Sequence, residues 1–410
     1  MSALHVEVDP SESGLDAGRL ARIGAHFRQY TDDGRMAGWL VLVSRGGKIA
    51  HLETYGQRDE TGAPIEVDTL FRMYSMTKPV TAVAAMICYE EGLFDLSDPV
   101  SELIPSFAGS RVLTGGSLEA PETEPSDEPV RIWHLLTHTA GLTYSSPRQN
   151  PLLSAIFDQT EAAVPAGTDL AGWCEAWARI PLLFRPGSAW KYSIAHDVLG
   201  RVVEVAAGRP LDRFFAERIF EPLGMTDTGF RAKEADLDRL ATLYVLDTET
   251  DRVSPDEETG QWGISKPDFF AGGAGLVSSA PDYLRFAEML RRRGEYGGAR
   301  VLGTRTVEYM TKNHLPGNAD LASFGIPVIA DQPPEVGQGY GLGVGVTMDP
   351  VAHKLLDGAG SYGWAGAANT YFRVDPAEEL TMMFLTQLMP IGVHPIERRL
   401  SQLVYQAIVD

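Results

Sequence analysis

Residues 71–92 read FRMYSMTKPVTAVAAMICYEEG, and this stretch decides the predicted fold. Its apolar positions recur at the spacing of one helical face: Val80, Val83, Ala84 and Ile87. Gly92 closes the segment, in the position where glycine commonly ends a helix. The sequence therefore predicts a long apolar helix that begins near Ser75.

Strand patterns lie on both sides of this helix and far apart in the chain. Residues 38–56 read GWLVLVSRGGKIAHLETYG, and the Gly46-Gly47 pair at their centre predicts a β-hairpin. Near the other end, strand patterns occupy residues 339–348, 368–375 and 380–388, before a last predicted helix at 394–410. We expect the N-terminal and C-terminal strands to share one sheet.

The middle of the chain has a different character. Helical patterns dominate residues 132–240, several of them closed by Gly or Pro. Residues 109–129 are rich in Gly, Pro, Ser and Glu with little periodicity, and they predict a loop or an excursion on the surface. The predicted fold is an α/β (α+β) sandwich, an antiparallel sheet flanked by helices. Residues 1–89 and 271–410 form it, and 90–270 form an inserted, mainly helical domain, with the active site in the cleft between them.

Composition and charge exclude several classes of function. The 410 residues are 44% apolar and 22% charged, as in ordinary globular proteins. The formal net charge of −20 repels nucleic acid and anionic membranes, so we expect a small-molecule partner. Cys88 and Cys174 lie in apolar segments and predict no disulfide framework. With neither a signal peptide nor an apolar run of membrane-spanning length, we expect a cytoplasmic protein; the sequence leaves its oligomeric state open.

The helix start carries the first chemical motif, Ser75-Met76-Thr77-Lys78. Residues i and i+3 share a helical face, so the lysine amine can reach the serine hydroxyl one turn back. A buried lysine can give up its proton and accept the serine's, and the helix N-terminus favours a developing alkoxide. A second match, Ser188 to Lys191, follows the turn Arg185-Pro186-Gly187 and is interpreted as a coincidence.

Two further features gain meaning beside this motif. Tyr192-Ser193-Ile194 stands just before a predicted helix; alone, a tyrosine there is more often a core aromatic. Residues 363–367 read GWAGA between a turn and a strand, where missing side chains let a ligand approach backbone N–H groups. Alone, this segment is equally well a sheet bulge.

The three features, in this order, resemble the serine β-lactamase and penicillin-recognising enzyme superfamily, in particular its class C and family VIII carboxylesterase branch. That branch carries S-x-x-K, then Y-x-x, then a W-x-G or K-T-G strand. The stretches HLLTHTAGL (134–142), FRPGSAWKYS (184–193), FEPLGMTDTGF (220–230) and GGAGLVSSAPDYLRFA (272–287) also look like that family. The resemblance runs from about Trp39 to the last strand.

The resemblance implies a role for each matching residue. Ser75 would be the nucleophile, Lys78 its activator and Tyr192 the proton shuttle to the leaving group, with proton sharing between the last two left open. The backbone N–H groups of Ser75 and Ala367 would form the oxyanion hole. The residues expected to bind substrate are Trp364, Gly366 and Ile194. No metal and no organic cofactor is implied.

Two departures from the lactamase pattern bear on substrate. Class C enzymes have Asn where this chain has Ile194, and Lys where it has Trp364. Neither replacement can hydrogen-bond a substrate amide or pair with a β-lactam carboxylate as the original does. We therefore expect a serine carboxylesterase that works through an acyl-enzyme. The alternatives are a β-lactamase, a D-amino-acid peptidase or amidase, an acyltransferase on the same scaffold and, least favoured, a non-catalytic binding module.

Other hydrolase signatures are missing from the sequence. His134 and His138 are spaced for a shared metal, but the zincin pattern also needs Glu where this chain has Leu135. No serine has glycine at both −2 and +2, which disfavours an α/β-hydrolase. We expect a structural role for the two histidines.

Overall fold

A computed structural model describes residues 4–257, 259–265, 267–326 and 335–410. Its centre is a seven-stranded sheet, as far as the described residues show, in the order β11-β12-β13-β14-β15-β1-β2. Neighbouring strands are antiparallel throughout. The strands in chain order are β1 Gly38–Arg45, β2 Lys48–Gly56, β3 Leu70–Arg72, β4 Arg111–Gly116, β5 Pro121–Pro125, β6 Tyr244–Asp247, β7 Arg252–Pro255, β8 Val277–Ser279, β9 Glu295–Tyr296, β10 Ala299–Arg300, β11 Gln338–Tyr340, β12 Gly345–Thr347, β13 Tyr362–Ala365, β14 Tyr371–Asp375, β15 Leu380–Leu385 and β16 Leu388–Met389.

Helices cover both faces of this sheet and fill the middle of the chain. In chain order they are α1 Ala17–Leu20, α2 Arg22–Asp32, α3 Thr77–Glu90, α4 Ile132–Leu136, α5 Pro151–Ala162, α6 Leu170–Trp177, α7 Ala195–Ala207, α8 Leu211–Phe215, α9 Glu221–Leu223, α10 Ala280–Arg291, α11 Thr304–Met310, α12 Leu321–Phe324, α13 Pro350–His353 and α14 Ile396–Tyr405. In the described part of the chain, none is long and apolar enough to span a bilayer.

Strand β1 joins the two ends of the chain. It pairs with β2 through the Gly46-Gly47 turn and with β15 from the C-terminal part. Alternate residues of a strand point to opposite faces, and here both faces are buried. Trp39, Val41 and Val43 pack on the α2 and α14 side, and Leu40 and Leu42 join the core that contains α3. The predicted hairpin, the shared sheet and the sandwich fold are therefore confirmed.

The middle segment is helical but not uniformly so. For residues 109–129 a loop or a surface excursion was expected, and the structure shows the excursion: β4 and β5 pair there as a hairpin on the surface, so the loop alternative is wrong. Further on, β6 pairs with β7 and also with β16 from the C-terminal part. The helical content of 90–270 is as expected, and the division of the chain at 89 and 270 stays a prediction.

Helix α3 is buried on all sides. Residues 77–88 are all buried, as a helix between a sheet and a helical layer must be. It packs on α7 from the middle segment, and its residues share one core with β1, β14 and β15. The N-terminus of α3 thus lies between the sheet and the helical segment.

Candidate active site

Ser75 lies in a single tight turn just before α3. The turn spans Tyr74–Met76, and Tyr74 has a φ of 45°, a left-handed conformation that is uncommon for a non-glycine residue. Two contacts from the neighbouring β8 and α10 region hold the turn. The Tyr283 hydroxyl donates to the Met76 carbonyl at 2.8 Å, and the Met73 N–H donates to the Leu276 carbonyl at 2.8 Å. Ser75 itself is half-buried.

Lys78 lies in the first turn of α3 and is fully buried. Its Nζ lies 3.2 Å from Ser75 Oγ. It also donates to the Tyr144 hydroxyl at 3.2 Å and to the Gly273 carbonyl oxygen at 2.7 Å. The nitrogen has three positions for hydrogen bonds, and these three contacts occupy all of them. Within the described residues, no carboxylate lies within ion-pair distance of this nitrogen.

Tyr192 lies three residues before the start of α7, and its ring lies beside Lys78. The Lys78 Nζ is 4.5 Å from the ring centroid, a cation–π distance. The Tyr192 hydroxyl accepts a hydrogen bond from Trp364 Nε1 at 3.2 Å. His138 packs on the other side, with ring centroids 4.8 Å apart. The structure thus brings together Ser75, Lys78, Tyr192 and Trp364.

The turn after β13 brings the GWAGA segment against the Ser75 turn. A Cβ on Gly366 would lie 2.3 Å from the Met73 carbonyl oxygen, so only glycine permits this approach. The missing side chain therefore lets the protein's own Met73 carbonyl and Thr370 hydroxyl approach closely, and contact of Gly366 with a substrate stays a prediction. Ala367 packs against the small apolar cluster of Tyr74, Leu243 and Ala368, which includes the residue before Ser75. Its place in an oxyanion hole stays a prediction.

Two neighbours of Lys78 were missed by the sequence analysis. Tyr144 comes two residues after the end of the family-like stretch 134–142, and Gly273 lies inside the stretch 272–287. Asp197 on α7 is behind Gly273, and its Oδ1 accepts the Gly273 N–H at 2.9 Å. Burial raises the pKa of Asp197, and the nearby Lys78 partly offsets the rise. Burial also raises the pKa of the Tyr144 hydroxyl well above its usual value, with a further contribution from Asp197.

His138 and His196, here called the histidine pair, lie behind Tyr192. Both side chains are fully buried, and their ring centroids are 4.7 Å apart. His138 Nδ1 lies 3.1 Å from Ser193 Oγ, whereas both ring nitrogens of His196 have no hydrogen-bond partner among the described residues. Burial lowers the pKa of each imidazole well below its usual value, and so does the charge of Lys78. The pair is neutral at ordinary pH.

His134, the other member of the predicted spacing, contributes to local structure. Its Nδ1 accepts the Arg131 N–H at 3.1 Å at the start of α4. Burial lowers the pKa of His134 to about 4. In the described residues, no group of three or more potential ligands could hold a metal ion.

The second S-x-x-K match does not bring its two residues together. The exposed Ser188 hydroxyl donates to the Arg185 carbonyl at 2.7 Å. The Lys191 amine instead bonds Gln149 Oε1, and burial lowers the pKa of this lysine to about 8.

Ile194 is only 4% exposed and belongs to the main core, so little of its side chain can touch a substrate. Its contact with substrate stays a prediction.

Comparison with known proteins places this constellation in a family. The family model described as Beta-lactamase matches residues 23–406. Protein Rv1367c of Mycobacterium tuberculosis is 36% identical over 370 residues, which cover 89% of each chain. Esterase EstB of Burkholderia gladioli is 32% identical over 422 residues, covering 97% of this chain and 98% of that protein.

Comparison with solved structures agrees with the sequence comparison. EstCE1, described as a hydrolase with promiscuous acyltransferase activity, superposes with a TM-score of 0.77 at 28% identity, over 97% of this chain and 99% of that one. The chain belongs to the beta-lactamase family, in the group that contains hydrolases and acyltransferases. The predicted family and fold are confirmed.

Proposed function

We propose that this protein is a serine carboxylesterase that works through an acyl-enzyme formed on Ser75. The observation that carries the proposal is the 3.2 Å contact between Lys78 Nζ and Ser75 Oγ, in a place where Lys78 is fully buried. A neutral amine at this distance can accept the serine proton as the oxygen attacks an ester carbonyl. The identity to Esterase EstB over nearly the whole chain supports the same reading.

The first half of the reaction forms the acyl-enzyme. Ser75 Oγ bonds to the ester carbonyl carbon, and its proton passes to Lys78 Nζ. The backbone N–H groups of Ser75 and Ala367 would stabilise the oxyanion of the tetrahedral intermediate. When the intermediate collapses, the bond to the alcohol oxygen breaks, and the Tyr192 hydroxyl delivers a proton to that oxygen. Tyr192 regains its proton from the Lys78 ammonium.

The second half reverses these steps with water as the attacking group. Water gives a proton to the Lys78 and Tyr192 pair as the water oxygen bonds to the acyl carbon. Ser75 then leaves and regains a proton from the same pair, which releases the carboxylic acid. An alcohol in place of water would give a new ester, so acyl transfer is the competing outcome. EstCE1 is described as having both activities, which favours testing both here.

The lining of the site favours neutral esters over β-lactams. Trp364 stands where a lactamase would place a lysine, and its indole N–H is already committed to Tyr192. Ile194 offers no hydrogen-bonding group at the position of the lactamase asparagine. A substrate carboxylate or amide side chain would therefore find neither partner.

The decisive experiment compares wild type with Ser75→Ala, using Ser188→Ala as the matched control. Intact mass is measured after brief exposure to a fluorophosphonate, and release of p-nitrophenol from p-nitrophenyl butyrate is followed in parallel. We expect one adduct and turnover in wild type and in Ser188→Ala, and neither in Ser75→Ala. Labelling of Ser75→Ala would refute the proposal. Cleavage of a chromogenic cephalosporin as fast as that of the ester would overturn the choice of substrate.

A further inference from the structure

A pocket beside the candidate site has no assigned role. Its cavity volume is about 130 Å³, below the roughly 300–1,000 Å³ of pockets that hold a whole drug-sized ligand, so it can take only a small group. Tyr144 forms part of its wall, and the hydroxyl of the same residue lies 3.2 Å from Lys78 Nζ. One tyrosine therefore separates the pocket from the amine that contacts Ser75.

The walls of the pocket are chemically apolar. Hydrocarbon surface comes from Leu153 on α5, from Leu183, from Ile326 and from the Tyr144 ring. None of the residues that line it within the described chain is charged. A charged ligand group would thus find no counter-ion there.

The polar side chains around the pocket are already engaged. The Thr143 hydroxyl donates to the Tyr144 carbonyl, and Ser154 Oγ accepts the Ser146 N–H. Asn150 Oδ1 accepts the Leu153 N–H as the cap of α5. A hydrocarbon group in the pocket would leave these bonds in place.

We propose that this pocket, here called the Leu183 pocket, holds a compact hydrocarbon group of the ester substrate and so sets its chain-length preference. The inference rests on the proposed function and deepens it. The group belongs either to the acyl part or to the alcohol part, and both have the same chemistry. Because most of the wall surface is apolar, selectivity arises from burial of methylenes, about fourfold in kcat/KM for each one.

The test uses two series of esters with wild type, Leu183→Trp and Leu183→Ala. One series lengthens the acyl group, from p-nitrophenyl acetate to butyrate and hexanoate. The other lengthens the alcohol of an acetate ester, from ethyl to butyl and hexyl. In wild type we expect kcat/KM to rise about 15-fold over two methylenes in one series. Leu183→Trp should flatten that rise to within about threefold, and Leu183→Ala should extend it to longer chains.

Matched variants keep the test decisive. Val351→Trp places the same large side chain at a position that is 85% exposed, and it should keep the wild-type slope. If Leu183→Trp fails to fold, as judged by circular dichroism, Ile326→Trp fills the same pocket from another segment. Unchanged slopes in both series for the folded pocket variants would overturn the proposal.

Failure of this proposal is distinguishable from failure of the proposed function. If the pocket proposal fails, turnover still depends on Ser75, but its dependence on chain length does not change with the Leu183 and Ile326 substitutions. If the proposed function fails, labelling or turnover survives the Ser75→Ala substitution. The series in which the slope changes identifies the acyl or the alcohol part as the occupant.

Discussion

Replacing Tyr144 by phenylalanine tests the contact that the sequence analysis missed. The change removes one hydroxyl and keeps the ring, so Lys78 Nζ loses one of its three acceptors. Burial raises the pKa of this hydroxyl, so it stays protonated throughout the assay range. In the proposed mechanism Lys78 Nζ takes up the Ser75 proton as Ser75 attacks, so a positive charge develops on it in the transition state. The hydroxyl therefore stabilises the transition state more than the ground state.

The expected size of the effect follows from that difference. A hydrogen bond to a charged group contributes about 1.5–3 kcal/mol, and one between neutral groups about 0.5–1.5 kcal/mol. The difference of about 1–1.5 kcal/mol corresponds to a loss of about 5- to 13-fold in kcat. The assay is the steady-state hydrolysis of p-nitrophenyl butyrate, with fluorophosphonate labelling as a check that Ser75 stays reactive.

A nearby tyrosine supplies the control. Tyr340 is fully buried, and its hydroxyl has no hydrogen-bond partner among the described residues, so Tyr340→Phe should leave kcat within about twofold. The reasoning is refuted if Tyr144→Phe also stays within twofold. A loss above about a thousandfold would refute it in the other direction, because Tyr144 would then transfer a proton itself.

Three further changes test other parts of the site. Trp364→Phe removes the indole bond to the Tyr192 hydroxyl and should lower kcat about 2- to 13-fold on the same ester; an unchanged kcat would contradict it. Gly366→Ala drives a Cβ into the Met73 carbonyl, so a thermal melt should show about 1–3 kcal/mol of destabilisation; an unshifted melt would show that the turn can relax. The histidine pair is neutral in the folded protein, but in the unfolded chain both histidines take up protons below about pH 6.5. The free energy of unfolding, measured by urea titration, should therefore fall as the pH drops from that value. Replacing both histidines should reduce this dependence of the unfolding free energy on pH.

Features with a local cause were predictable from the sequence. Helix α3 follows from the apolar spacing of residues 80–87, and the first hairpin from the Gly46-Gly47 turn. The placement of Ser75 beside Lys78 is also local, since the two are one helical turn apart. These predictions needed no knowledge of the rest of the chain.

Features that depend on distant segments were not predictable in the same way. Tyr144 and Gly273 reach Lys78 from positions 66 and 195 residues away, and no periodicity encodes that meeting. The hairpin in residues 109–129 was missed because its strands are exposed and carry no apolar alternation. At Gly366 the residue type was noticed, but its neighbour Met73 lies in the distant connection between β3 and α3.

The pairing of β1 with β15 also sets an order of events during synthesis. Leu40 faces Leu385, so β1 leaves the ribosome long before its partner exists. Until then, one edge of β1 stays unpaired with apolar residues on both faces, which invites aggregation. A message truncated before β15 would therefore yield a chain that still carries Ser75 and Lys78 but has no completed sheet to support them.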